Sequence, residues 1–152
     1  MTTQIVFGCD HRGLELKQDL VSLIRNMGYS YDDLGCYSTF SVDYPDIAYS
    51  VAKAVAESGC AIGVLICSTG IGMSMSANKV NGIRAALCHS IFTAQKARQH
   101  NNANIVCIGA DVLGRELARE IVTTFLETHF EGGRHSLRIK KLMGLEHHPT
   151  TE

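Results

Sequence analysis

Ile62-Gly63-Val64-Leu65-Ile66-Cys67-Ser68-Thr69-Gly70-Ile71-Gly72-Met73-Ser74 begins as an unbroken apolar run and then breaks into small and hydroxyl residues. Such a run followed by glycines reads as a buried parallel strand that turns tightly into a helix. Ala77, Asn78 and Lys79 carry the helical pattern on to about residue 80. A strand-to-helix junction leaves backbone N–H groups aimed above the sheet at the positive end of the helix dipole, which suits an anion. Gly70 and Gly72 let the backbone approach a ligand, Ser68 and Thr69 add hydroxyls, and Cys67 aims a thiol at the same spot. A thiol beside an anion cradle suggests acid–base or nucleophilic chemistry. The plain alternative is a tight turn with no ligand.

Three well-known loops fail on the letters. A Walker loop ends in Gly-Lys-Ser/Thr, and Gly72 is followed by Met73. A cysteine-phosphatase loop needs an arginine where Met73 stands. A dinucleotide fingerprint lacks its third glycine after Gly70 and Gly72.

Outward from this stretch the chain alternates. A strand over residues 5–7 ends in Gly8-Cys9-Asp10-His11-Arg12-Gly13, and Leu16, Leu20, Leu23, Ile24 and Met27 follow at helical spacing. Residues 29–34 read as a second strand, and Pro45-Asp46 opens a helix that Gly59 stops. After the central stretch come a fourth strand over 83–88, a helix over 90–100 and a fifth strand over 104–109. A long helix carrying Leu117, Ile121, Val122, Phe125 and Leu126, then a short one over 134–142, complete the pattern. These elements predict an α/β fold: one domain over residues 1–145, three α/β/α layers around a five-stranded parallel sheet, Rossmann- or flavodoxin-like. Residues 146–152 are expected to fray. Ligands of such sheets sit beyond the carboxyl ends of the strands. There the sequence places Asp10 and His11, the loop 67–72, His89, and Gly109-Ala110-Asp111.

Composition narrows the class. With 152 residues, 45% of them hydrophobic and 19% charged, the chain can bury a full core. A net charge of -1 gives no footprint for nucleic acid or an anionic membrane. No secretory signal or membrane-length apolar run is read. Six cysteines without C-x-x-C spacing fit a reducing cytoplasm, with Cys60, Cys88 and Cys107 as small core residues.

Other residues suggest chemistry only in combination. Asp10-His11 is either a carboxylate–imidazole pair or a helix cap beside a surface histidine. His100, followed by Asn101, ends a helix where the dipole favours imidazolium, as it would for a proton donor or a simple C-cap. Arg134 and Arg138 lie one turn apart and could converge on a phosphate or line a solvated face.

Taken together, Gly8-Cys9-Asp10-His11, Asp43-Tyr44-Pro45, the run 66–72, Ala77-Asn78-Lys79, Gly82-Ile83-Arg84, Arg98-Gln99-His100-Asn101 and Glu131-Gly132-Gly133-Arg134-His135 stand in the order found in the type B ribose-5-phosphate isomerases. The chain resembles that family from Ile5 to about Leu142, and the wider family includes galactose-6-phosphate isomerase subunits. The resemblance implies interconversion of D-ribose 5-phosphate and D-ribulose 5-phosphate through a cis-enediolate, in the non-oxidative pentose phosphate pathway, without metal or organic cofactor. By position, Cys67 is the base, Thr69 assists it, and the amides of Ser68, Thr69, Gly70, Ile71 and Gly72 hold the oxyanion. His100 opens the sugar ring and Asp10 orients its hydroxyls. His11, Arg134 and Arg138 bind the phosphate, and Asn101 contacts the sugar. The family is dimeric or tetrameric, and His100 and Asn101 are expected to enter the neighbouring copy's site. With Cys67 and no glutamate in the loop, the chain falls in the family's cysteine branch.

Two positions depart from the family. Ser68 replaces a usual glycine and is strained if the backbone there takes positive φ. Asp111 replaces a frequent arginine and is a doubtful substrate ligand, since its carboxylate would oppose an anion. Arg115 is placed to compensate. The alternative substrate is a hexose 6-phosphate (allose or galactose 6-phosphate). A rival of another class, a receiver-type or flavodoxin-like binding module, lacks its acidic cluster and finds Asp111 where its lysine belongs.

Overall fold

The computed structural model describes residues 4–59 and 61–147, so Cys60 lies outside the described residues. The elements alternate as expected: β1 (Gln4–Cys9), α1 (Leu14–Asn26), β2 (Ser30–Asp33), α2 (Tyr44–Ser58), β3 (Ile62–Cys67), α3 (Ile71–Ala77), β4 (Ala85–Leu87), α4 (Ile91–Gln99), β5 (Ile105–Gly109), α5 (Arg115–Glu127) and α6 (Arg134–Gly144). All five strands are parallel, in the order β2-β1-β3-β5-β4. The last two strands are exchanged relative to the flavodoxin order.

β3 is buried along its whole length, as its apolar run requires. One face of the sheet packs on α1, α4 and α5 through Leu20, Ile24, Ala94, Ala118, Ile121 and Phe125. The other packs on α2 and α3 through Ala48, Val51, Ala52, Val55, Met73 and Ala77. These two apolar layers make the three-layer architecture. Cys9, Cys88 and Cys107 are core residues, and burial pushes the Cys9 thiol up to about 12 and that of Cys88 to about 11.

Several boundaries move inward. α3 stops at Ala77 because Asn78 is spent capping: its backbone N–H returns to Ser74, and its side chain bonds both the N–H and the C=O of Ala85. β4 shrinks to three residues, since beyond Leu87 only Cys88 reaches β5, donating to Cys107 O at 3.0 Å. At the carboxyl end, Leu145–His147 forms a 3₁₀ turn in which Glu146 accepts the N–H of Gly82 at 2.8 Å. Glu146 and His147 thus belong to an anchored turn, and residues 148–152 of the expected tail lie outside the described residues.

Candidate active site

The strand order reverses between β1 and β3, and their carboxyl ends open the crevice where such folds bind ligands. Register sets the level of every group around it. Cys9 pairs with Ile66, and Cys67 pairs with Gly109, so Asp10, Cys67 and Gly109 stand side by side. Gly109 must be glycine, because an added Cβ would lie 2.7–2.8 Å from the backbone of Thr69.

Cys67 is buried at the end of β3, and its sulfur accepts the N–H of Gly70 at 3.1 Å. Gly70 holds φ 77° as the N-cap of α3, and a Cβ there would meet Leu87 at 2.7 Å and the backbone of Ile108 at 2.8 Å. The turn therefore brings an amide onto the thiol. Thr69 Oγ1 accepts the N–H of Ile71 at 3.3 Å, and the Thr69 carbonyl lies 3.1 Å from His89 Nε2. His89 thus steadies the loop from β4, a contact that no local spacing signals.

Asp10 is buried, and its Oδ1 accepts the N–H groups of Arg12 at 2.9 Å and Gly13 at 3.2 Å. It ties down the turn into α1 while standing level with the thiol. His11 Nδ1 accepts the N–H of Val42 at 3.3 Å, which fixes the ring and leaves Nε2 as the protonated nitrogen.

The two departures are explained by one contact. Ser68 Oγ donates to Asp111 Oδ2 at 2.7 Å, so its hydroxyl is engaged within the protein. Among the described non-glycine residues only Asn102 has positive φ, so Ser68 is unstrained. Asp111 also receives Arg12 in a fork, with Nε to Oδ2 at 3.1 Å and Nη2 to Oδ1 at 2.8 Å. The Ser68 hydroxyl first, and the Arg12 guanidinium next, hold the Asp111 carboxyl below its usual value. Arg115, expected to compensate for Asp111, instead reaches Glu15 at 3.0 Å and Asp19 at 3.8 Å.

The remaining expected residues lie elsewhere. His100 caps the carboxyl end of α4, and Asn101 follows it ahead of β5, at the amino edge of the sheet. β5 alone, at about 3.3 Å per residue, sets this edge on the order of 15 Å from the carboxyl edge. Glu131 N donates to Gln99 O at 3.1 Å, which draws the start of α6, with Arg134 and Arg138, to the same edge. There the His100 ring stacks on buried His135 at 4.2 Å between centroids. Glu131 Oε2 stands 3.9 Å from His100 Nε2 and 3.6 Å from His135 Nε2. One copy therefore holds the expected site residues as two groups on opposite edges. Cys67, Asp10, His11, Thr69 and the loop amides form one; His100, Asn101, Arg134 and Arg138 form the other.

A thiol under an amide, a buried carboxylate and a glycine turn at the switch point of a parallel sheet are the groups of an α/β enzyme that can move a proton. The model of the ribose/galactose isomerases matches residues 5–142. The chain belongs to that family. It is 43% identical over 143 residues to the ribose-5-phosphate isomerase B of Escherichia coli, covering 94% of this chain and 96% of the relative. It is 42% identical over 148 residues to a D-erythrulose-4-phosphate isomerase of Pectobacterium atrosepticum, covering 94% and 95%. The ribose-5-phosphate isomerase B of Mycoplasma genitalium, solved with bound ribulose-5-phosphate, superimposes with a TM-score of 0.93 at 41% identity, over 96% of this chain and 97% of that one.

Proposed function

We propose that this protein interconverts D-ribose 5-phosphate and D-ribulose 5-phosphate in the pentose phosphate pathway of the cytoplasm. The observation that carries the reading is the Cys67 thiol under the Gly70 amide, level with Asp10 at the switch point. In this mechanism the Cys67 thiolate removes the proton from C2 of the open-chain aldose and returns it to C1 of the cis-enediolate. The oxygen that gains charge is met by amides of the loop 68–72, with those of Gly70 and Ile71 turning to it from Cys67 and Thr69. Thr69 assists the base, and Asp10 orients the sugar hydroxyls. His11, Arg134 and Arg138 hold the phosphate, remote from the reacting carbons, and so align them.

Read as two half-sites, these groups call for a second copy of the chain, as a homodimer or a tetramer. His100 then donates a proton to the ring oxygen of a sugar bound at its partner's thiol, with Asn101 beside it. Exposed Ile71 and Met75 on α3, Leu87 at the end of β4, and Ile91 and Phe92 at the start of α4 all lie about the carboxyl edge. A partner packed antiparallel beside that apolar edge, its amino edge level with this carboxyl edge, would carry its own histidine and arginines toward the thiol. No helix among the described residues is long and apolar enough to cross a membrane. A four-carbon substrate is the second reading, favoured by the similarity to the erythrulose-4-phosphate isomerase; the hexose 6-phosphates remain in the panel.

The test is steady-state turnover of ribose 5-phosphate beside erythrulose 4-phosphate and allose 6-phosphate, with a chelator present. A higher kcat/KM for the pentose is expected. Preference for another sugar would keep the chemistry and move the substrate; inactivity on all three would overturn the reading.

A further inference from the structure

Arg12 follows His11 directly, and both line a cleft of about 530 Å³ together with Asp111. The Arg12 side chain is more than half exposed there and is held at three short distances, with Nη2 also 2.9 Å from Asp111 Oδ2. This side-on fork uses Nε and one proton of Nη2. A guanidinium has five N–H donors in a fixed plane, so the Nη1–Nη2 edge keeps one N–H from each nitrogen for a second oxyanion. Among the described residues lining the cleft, no free carboxylate competes for that edge: Asp111 is already engaged by Ser68 and Arg12, and Glu15 accepts Arg115 at 3.0 Å. Asp111 in turn is fixed from below, because its own N–H donates to Ser68 O at 3.0 Å.

We propose that Arg12, held in place by Asp111 and Ser68, is a phosphate-binding and specificity-determining residue of this chain. The inference rests on reading the protein as a sugar-phosphate isomerase. The resemblance puts an arginine at position 111 in many members; here the guanidinium reaches the same mouth from the loop after β1, and the carboxylate at 111 becomes its clamp. Clamping removes rotamer freedom from a long side chain before the ligand arrives. It also halves the useful fork, so the subsite is tighter in geometry and weaker in net charge than one with a free arginine. The distance from the clamp to the thiol is fixed by the turns 10–12 and 109–111, which makes the pair a ruler for chain length among phosphorylated sugars.

The experiment is isothermal titration of the full-length protein with inorganic phosphate and with ribose 5-phosphate, in the wild type and in Arg12→Ala, Arg12→Gln and Asp111→Ala, alongside steady-state kinetics. Loss of one charge-assisted pair predicts a rise of about tenfold to a hundredfold in Kd for both ligands in the two Arg12 variants, with KM moving far more than kcat. Asp111→Ala raises Kd by a smaller factor, because the guanidinium survives without its clamp. Adding Asp111→Arg to Arg12→Ala restores much of the lost affinity, which a merely structural role of Arg12 would not do. Unchanged Kd values in both Arg12 variants, or no phosphate binding by the wild type, would overturn the proposal. Arg12-dependent phosphate binding without pentose turnover would sustain it while removing the pentose as substrate.

Discussion

The sulfur of Cys67 and the amide of Gly70 stand 3.1 Å apart because Gly70 turns back with φ 77° at the start of α3. The amide contacts the thiol and opens the helix at once, so the shape of the turn and the placement of the thiol are one feature.

Replacing the thiol should separate them. Cys67→Ala removes the proposed base while leaving a small side chain in a buried slot. Turnover is expected to fall by about 10²-fold or more, and the thermal midpoint to shift by no more than a few degrees. Near-wild-type turnover would exclude Cys67 as the base.

Arg138 is exposed on α6, one turn after Arg134. Arg138→Ala should change stability by less than about 0.5 kcal/mol, as surface substitutions do. Its KM for the sugar phosphate should rise about tenfold. An unchanged KM returns the residue to a solvated face.

His135 supplies a pH signature. Burial first, then the charges of His100 and Arg134, hold its imidazole below the ordinary value of 6.5, against the opposing pull of Glu131; Arg138 adds to the lowering. The unfolded chain therefore binds this proton first as pH falls through 6.5, and the native state loses stability from there downward. Thermal midpoints of His135→Asn should fall less steeply between pH 6.5 and pH 5 than those of the wild type. Parallel slopes would contradict the assignment.

Lys17 is the charged residue the periodicity concealed. It sits in α1 between Leu16 and Leu20, 1% exposed, with Nζ 2.6 Å from both Asp33 Oδ1 and Cys36 O. Lys17→Ala would strand that carboxylate and carbonyl, and a loss of about 3 kcal/mol is expected by chemical denaturation. A loss under about 1 kcal/mol would show that water replaces the ammonium freely.

Lys17 also marks where sequence reading stops. The alternation of strands and helices, the switch point and the thiol turn follow from local pattern, because apolar runs, periodic faces and glycines act over a few residues. The partners of Lys17 depend on how β2 ends, and no spacing within α1 reveals them. The same limit hid the Arg12–Asp111 pair, 99 residues apart in the chain. Adjacent His11 and an opposite charge at the matching strand end are the local signals, but Arg115 offers the same charge four residues after Asp111, and only the fold turns it to Glu15 and Asp19 instead. The grouping of His100 with Arg134 was legible as a motif order. Its position on the far edge required knowing that α4 runs back across the sheet.

The central claim is that one working site needs the thiol of one copy and the histidine of another. Cys67→Ala and His100→Asn chains, each inactive alone, can be coexpressed with different tags and the mixed dimer purified. One of its two sites then carries both substitutions and the other neither, so about half of wild-type turnover is expected per mixed dimer. A mixed dimer as inactive as its parents would place both residues in the same copy's site and contradict the account.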